Sequence, residues 1–461
     1  TFRSEPVRAV SPVGDTATPV RAVSPVGDTA TPVRAVSPGG DTATSGSGPS
    51  LAPVRAVSPV GDTATPVRAV SPVGDTATSV LESAKTTKSL IFPPEYTFMK
   101  TNLWVHEDIS LAKTLQKDFY LSSNFFEEAK EKIFAQTWQW LTCGSLGSEP
   151  GNCAPVTLLP GYLDEPLLIT TDAQGKQHCI SNVCTHRGAQ LVQQPCTVTN
   201  IRCPYHGRLF GLDGSFKSMP EFKEVQNFPA PSDNLTSLPL QSFAGSLFTR
   251  LSGDASFEQF FGPMKERLNW MPFDSFSYRP DLSKAYEVKA HWALYCENYL
   301  EGFHIPFVHP ALNASLDFGN YRTELYEYSS LQLGIAKSGE DCFALPKSSP
   351  DFGQNVAAYY YFVFPNLMFN FYPWGLSLNV VEPLQTDLTR VSFYSFVWKP
   401  EKLQQGAGAD VDATEMEDET VVESVQQGIR SRFYEHGRYS VKHETGTHHF
   451  HRLIAEWMGR K

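Results

Sequence analysis

Two stretches of this sequence concentrate side chains that bind metals. In CTHRGAQLVQQPCTVTNIRCPYHG, residues 184–207, Cys184 and His186 form one pair and Cys203 and His206 a second, with sixteen residues between them. Two thiolates and two imidazoles complete the coordination of a tetrahedral zinc ion. They equally suit a [2Fe–2S] cluster in which histidines replace cysteines on one iron. Zinc fingers of the two-Cys, two-His kind place both cysteines before both histidines. Here each loop brings one of each, so each of two irons can take one like ligand from each loop. Cys196, between the loops, has no place in that set and reads as an ordinary thiol.

The second stretch is CENYLEGFHIPFVHP, residues 296–310. Charged and imidazole groups are costly to bury without partners, yet Glu297, Glu301, His304 and His309 sit here among aromatic and aliphatic residues. Glu301 and His304 share one face of a helix, with Glu297 a turn earlier. His309 lies about 140° further round and does not. Pro306 and Pro310 break the helix. If it ends near Ile305, the chain turns and brings His309 back beside His304. Two neutral imidazoles with a carboxylate as third ligand make the facial triad of a non-haem Fe(II) site. Glu297 and Asn298 keep no assigned role.

These groups need elements to hold them. Ser123 is placed to cap a helix through residues 124–141, which carries its acids early. Residues 153–250 alternate short apolar runs with Gly, Pro, Asp and Asn, the pattern of a small all-β region. A helix is expected over 291–304, strands over 357–384 and 390–400, and a flexible loop over 406–413. Residues 415–437 read as a helix with acids in its first turn and Arg late, as the helix dipole favours. Tyr359, Tyr360, Tyr361, Phe369, Phe371, Tyr372 and Trp374 crowd the strand region. Strand alternation lets only about half of them face one side.

The first 78 residues are dominated by a 13-residue unit, PVRAVSPVGDTAT, starting at Pro6, Pro19, Pro32, Pro53 and Pro66. With two prolines, a glycine and no aromatic in each unit, it reads as disordered. It carries Arg, Ser and Thr but an Asp in every unit, unlike an acid-poor transit peptide. Apolar residues make up 41% of the 461 residues and the net charge is −11. That balance argues for a globular protein and against nucleic-acid binding, which needs a basic surface. No apolar run is long enough for a transmembrane helix. Eight scattered cysteines point to a reduced, intracellular setting, the cytoplasm or a plastid.

The motifs CxHRG…CPYHG and ENYLEGFHIPFVHP resemble those of Rieske non-haem iron oxygenase α-subunits. The resemblance covers roughly residues 96–461. It implies an α+β fold: a Rieske [2Fe–2S] domain over 141–252, inserted in a larger catalytic domain with an antiparallel sheet flanked by helices (91–140 and 253–461), after a repeat-rich segment over 1–90. By the same resemblance Cys184, His186, Cys203 and His206 hold the cluster, and His304 and His309 hold a mononuclear Fe. The third iron ligand is Asp418, flanked by Glu417 and Glu419. Read alone, Asp418 would be a first-turn acid serving the helix dipole, worth about 0.3–1 kcal/mol. Glu301 becomes an electron-transfer bridge linking His206 of one subunit to His304 of the next in a homotrimer. The sequence departs from the oxygenase pattern at Arg208, where Trp commonly follows CPYHG.

The implied activity is hydroxylation of a small organic substrate with O2. Electrons come from NAD(P)H through a separate reductase or ferredoxin, because the chain shows neither a dinucleotide fingerprint nor a four-Cys ferredoxin spacing. Glu rather than Asp at position 301, with the tail ESVQQGIRSRFYEHGRYS over 423–440, resembles relatives acting on N-methylated quaternary amines, choline first. The alternatives are an aromatic-ring-hydroxylating dioxygenase large subunit and, in a different class, a Rieske electron-transfer protein.

Overall fold

The computed structural model describes residues 103–144, 146–409 and 411–460; the repeat array and the stretch that follows it lie outside them. The structure is mixed α+β, as expected.

The largest element is an eight-stranded antiparallel sheet. Its strands run in the order Ser277–Tyr278, Leu388–Val397, Gly375–Gln385, Leu367–Tyr372, Val356–Val363, Ser329–Ile335 and Arg322–Leu325, and Lys284–Val288 pairs with part of Leu388–Val397. The central strands are buried on both faces, which is why their sequence is apolar and aromatic almost without interruption. Register then sorts the aromatic run. Tyr360 lies opposite Asn370, Asn370 opposite Ser377, and Asn379 opposite Phe393. These residues share one face with Tyr372. Tyr359, Tyr361, Phe369 and Phe371 alternate onto the other face and join the main core.

Residues 139–249 form three smaller antiparallel sheets. One joins Gln139–Cys143, Ser246–Thr249 and Leu240–Phe243. The second runs Cys196–Thr197, Asn152–Leu158, Glu165–Thr171, Gln177–Ser181 and Ser237–Leu238. The third joins Ile201–Arg202, Leu209–Phe210 and Phe216–Ser218. A compact core of Leu168, Ile180, Ile201, Phe210 and Leu235 backs Cys184 and Cys203.

Several expected helices take other bounds. The helix set over 124–141 is an α-helix over Ser123–Ala129 running into a π-helical turn, Lys130–Phe134. Ser123 is its first residue rather than its cap. Residues 139–143 are a strand, because QWLTC pairs with Ser246–Thr249 and buries Gln139 and Leu141. The helix set over 291–304 spans only Trp292–Tyr299, and Pro306 opens a new short helix, Ile305–Val308, instead of closing the old one. Proline suits a first turn, where its missing N–H has no intrahelical acceptor. The loop set over 406–413 is a 3₁₀ turn, Gly406–Gly408, leading into a helix over Val411–Gly428, so the helix expected over 415–437 starts earlier and ends sooner. Asp418 therefore sits two turns inside, past the reach of the N-terminal dipole. A helix over Thr445–Gly459, unanticipated, buries Phe450, Leu453, Ile454 and Trp457 against the core.

Candidate metal centres and substrate cavity

The two Cys–His loops have the same backbone. Cys184 N–H donates to Ala189 and Gly188 N–H to Cys184, at 2.8 and 3.0 Å; Cys203 N–H donates to Arg208 and Gly207 N–H to Cys203, at 2.8 and 3.1 Å. Each turn closes through a glycine in the left-handed region, φ +69° at Gly188 and +74° at Gly207. A side chain there would cost about 1–2 kcal/mol. The turns set the cysteines together: burial, with Cys203 beside it, holds the Cys184 thiol above its ordinary range. The rings of His186 and His206 lie 4.8 Å apart.

No three of these four residues bring their donor atoms within 4.8 Å of one another; among the described residues, only His304, His309 and Asp418 do so. A like pair of cysteines and a like pair of histidines, not meeting at one point, suits two irons better than one zinc. The Nδ1 atom of His206 is buried with no hydrogen-bond partner among the described residues, as an imidazole nitrogen reserved for a metal would be.

Arg208 turns inward rather than outward. It is 2% exposed and meets the Asp233 carboxylate at 2.5 Å, with the rings of Phe210, Phe216 and Phe228 around its guanidinium. The carbonyl of Asp233 accepts both from Arg208, at 3.2 Å, and from the Thr185 hydroxyl, at 2.9 Å. One peptide thus ties both Cys–His loops to the turn over Pro231–Asp233.

The second centre forms where the 292–299 and 411–428 helices meet. The backbone N–H of His291 donates to Gln426 at 2.8 Å and that of Lys289 to Glu423 at 3.0 Å, locking the start of one helix to the late turns of the other. His304 and His309 then face each other, Nε2 to Nε2, at 3.1 Å. Asp418 Oδ1 lies 3.0 Å from His309 Nε2 and 3.6 Å from His304 Nε2. Glu301 reaches His304 Nδ1 at 2.8 Å, through a tight turn in which its other oxygen accepts from the backbone of Phe303 and His304, not along a helix face. Glu417 holds His309 Nδ1 at 2.7 Å.

These two carboxylates fix the tautomers. Each Nδ1 carries its proton to an acid, so each Nε2 presents a lone pair. Two lone pairs and a carboxylate oxygen then converge with no proton between them, an arrangement that only a cation makes favourable. The field has the same sign: burial alone would lower the His309 pKa, but Asp418 and Glu417 outweigh it and hold it above the ordinary value. Asn298 joins the site by donating to Asp418 Oδ1 at 2.5 Å. Glu297 points elsewhere, 3.0 Å from the buried His451. No hydrogen bond or ion pair links Glu301 to His206 within the chain among the described residues.

Beside this centre opens a cavity of about 110 Å³. Tyr299, Tyr321, Tyr360 and Tyr372 supply aromatic walls, and Asn370, Asn379 and Glu415 supply polar ones. The Tyr360 and Tyr372 rings stand edge to face, 5.9 Å apart. Glu415 accepts from the Tyr295 hydroxyl at 2.6 Å. Burial pushes its carboxyl up to about 8, and Asp418, Glu419 and Asp412 push the same way. Sequence reading missed Glu415, Tyr299 and Tyr321; it named Glu417 beside Asp418 as a candidate for the iron, not as the partner of His309. The spacing of Glu415 and Tyr299 was a usable signal: Glu415 shares a helix face with Asp418, and Tyr299 with Tyr295.

Comparison with known proteins agrees with this geometry. Residues 156–229 match the family described as Rieske [2Fe-2S] domain, and residues 275–460 the family described as ring hydroxylating alpha subunit (catalytic domain). A chloroplastic choline monooxygenase of Beta vulgaris is 28% identical over 383 residues, 79% of this chain and 78% of that protein. The carnitine monooxygenase oxygenase subunit of Acinetobacter pittii is 29% identical over 366 residues, 75% of this chain and 95% of its own. A solved quaternary ammonium Rieske monooxygenase superposes with a TM-score of 0.62 at 26% identity, covering 76% of this chain and 96% of that one. Naphthalene 1,2-dioxygenase from Rhodococcus sp. shares the fold at 19% identity and a TM-score of 0.58. Both family matches fall on the segments that carry the two constellations, and an oxygenase of this construction draws its electrons from another protein. The chain belongs to the Rieske non-haem iron oxygenases, as an α-subunit.

Proposed function

We propose that this α-subunit is a monooxygenase of N-methylated quaternary amines, with choline as its first substrate. The observation that carries the reading is the ring of tyrosines, Tyr299, Tyr321, Tyr360 and Tyr372, walling the cavity next to His304, His309 and Asp418. A quaternary ammonium cannot donate hydrogen bonds, and aromatic faces hold it at about 0.5–2 kcal/mol per contact. The relatives named for choline and carnitine support the same substrate class.

In this reading Cys184, His186, Cys203 and His206 hold the [2Fe–2S] cluster, and His304, His309 and Asp418 the mononuclear iron. When bound, these groups supply single electrons and O2 activation for C–H hydroxylation. Glu301 and Glu417 keep the two imidazoles in the tautomer that presents Nε2. The tyrosines orient the substrate and exclude water. Hydroxylation at the alcohol carbon of choline consumes O2, two electrons and two protons, and gives betaine aldehyde hydrate and water. We assign the electron supply to a separate NAD(P)H-linked reductase or ferredoxin, and the assembly to a homotrimer in which Glu301 bridges to His206 of a neighbouring copy.

A turnover panel with a surrogate reductase tests this. Choline, carnitine or glycine betaine should yield oxidised product, and a ring diol from a simple aromatic as sole product overturns the amine reading. Metal analysis should find about three irons and two sulfides per chain; two irons and no O2 uptake would mark an electron carrier.

A further inference from the structure

We propose that Glu415 is the anionic seat for the substrate's positive charge, and so the residue that separates quaternary ammonium compounds from neutral molecules of the same shape. This rests on the cavity reading above and adds the determinant of charge.

The geometry is specific. Glu415 and Asp418 are three residues apart on the Val411–Gly428 helix, so they share a face about 4.5 Å apart along its axis. The Glu415 carboxyl therefore opens into the cavity one turn from the metal-facing carboxylate, among the cavity's tyrosines. It is 4% exposed. Its Oε2 accepts from Tyr295, while its buried Oε1 has no hydrogen-bond partner among the described residues.

A comparable buried acid is treated differently. Asp351, 1% exposed, is held by Arg267 through two contacts at 2.7 and 2.8 Å. Among the described residues, no Lys or Arg lines the Glu415 cavity. The charges that act on Glu415 from its own helix, Asp412, Asp418 and Glu419, all share its sign. A buried carboxylate without a counter-ion is unfavourable; a weakly hydrated cation enclosed by tyrosine faces removes the penalty without needing to donate a hydrogen bond. The upward displacement of its carboxyl by burial agrees with this, because a bound cation would reverse it.

The test compares choline with 3,3-dimethylbutan-1-ol, which replaces the ammonium nitrogen by carbon and keeps the shape. Iron- and cluster-loaded wild type should bind choline at least about tenfold more tightly by calorimetry and show the same preference in kcat/KM. Glu415→Gln should cut the choline-to-alcohol ratio about tenfold or more in both measurements, and Glu415→Asp should restore part of it. Iron content and the cluster spectrum confirm that the variants are intact. Should Glu415→Gln fail to fold, the wild-type ratio and Glu415→Asp decide. A wild-type ratio near one, or a ratio unmoved by either substitution while choline is still turned over, overturns the role of Glu415 and leaves the amine reading standing. Failure of wild type to oxidise any quaternary amine overturns that reading itself.

Discussion

Each imidazole of the second centre leans on its own glutamate, Glu301 for His304 and Glu417 for His309. Such partners orient a ligand without touching the metal. Asp418→Ala removes a donor atom, and is expected to abolish mononuclear iron while the visible spectrum of the cluster survives. Iron analysis showing a retained third iron would refute Asp418 as a ligand. Glu417→Gln leaves all three donors in place and is expected to weaken iron binding by about tenfold, the lower end for such partners, since its side chain is 39% exposed. Chelator competition reads this directly. The residue scale is also where the sequence was most legible. Cys184, His186, Cys203, His206, His304 and His309 stand out because few other jobs need those side chains at that spacing. Asp418 sits among Glu415, Glu417 and Glu419, and chemistry alone does not choose between four carboxyls within about one helical turn. Only the fold distributes them: Asp418 to the two Nε2 atoms, Glu417 to an Nδ1, Glu415 to the cavity.

At the scale of elements, the helix Trp292–Tyr299 begins on an unusual cap. The Nδ1 of His291 accepts the N–H of Ala293 at 3.3 Å, which only the neutral ring can do. The ring is fully buried, and desolvation holds its pKa at about 3 against an ordinary 6.5. The unfolded chain takes up this proton below 6.5 and the folded chain does not until about 3. The stability contributed by the neutral ring is thus fully present above 6.5 and is lost progressively as the pH falls toward 3. Glu415, whose carboxyl is pushed up to about 8, pulls the other way between its ordinary 4.5 and about 8, so scanning calorimetry should show the decline in unfolding temperature that belongs to His291 most clearly below about pH 4.5. His291→Asn, a short neutral cap, should make that decline shallower; an unchanged slope would place the proton uptake elsewhere. Element bounds were less legible than ligands. Pro306 looked like a terminator and is an initiator, because proline fits the first turn as readily as it ends the last. Residues 139–141, the start of QWLTC, looked helical by period, yet the whole of QWLTC is a strand, because its partner Ser246–Thr249 lies a hundred residues away and no local pattern announces it.

At the scale of the molecule, two solvent-facing aromatic clusters flank the two centres. Tyr205, 55% exposed, holds its ring 3.7 Å from that of His206, and Phe303 and Phe307, 41% and 80% exposed, meet edge to face on either side of His304 in the sequence. No helix of the described residues is long and apolar enough to cross a membrane, so these rings are not part of a membrane-spanning helix there. In the proposed trimer these are the surfaces a neighbouring copy would cover, and Glu301 would cross to that copy's His206. Glu301→Gln keeps an acceptor for His304 and should retain both metals, yet slow the passage of electrons between them. In a single turnover, the reduced cluster should stay reduced for much longer after O2 and substrate are added. Reoxidation at the wild-type rate would remove Glu301 from the path.

The converging lone pairs of His304 and His309 have a consequence for metal selectivity. A site organised to face a divalent ion before one arrives will accept whichever divalent ion is abundant, and affinity for such nitrogen and oxygen donors rises from Fe²⁺ through Co²⁺ and Ni²⁺ to Cu²⁺. Iron is thus a poor competitor for its own seat. Protein made in zinc-rich or nickel-rich medium should carry an intact cluster beside a misloaded centre: red, folded and inactive, and restored by stripping and reloading with Fe(II).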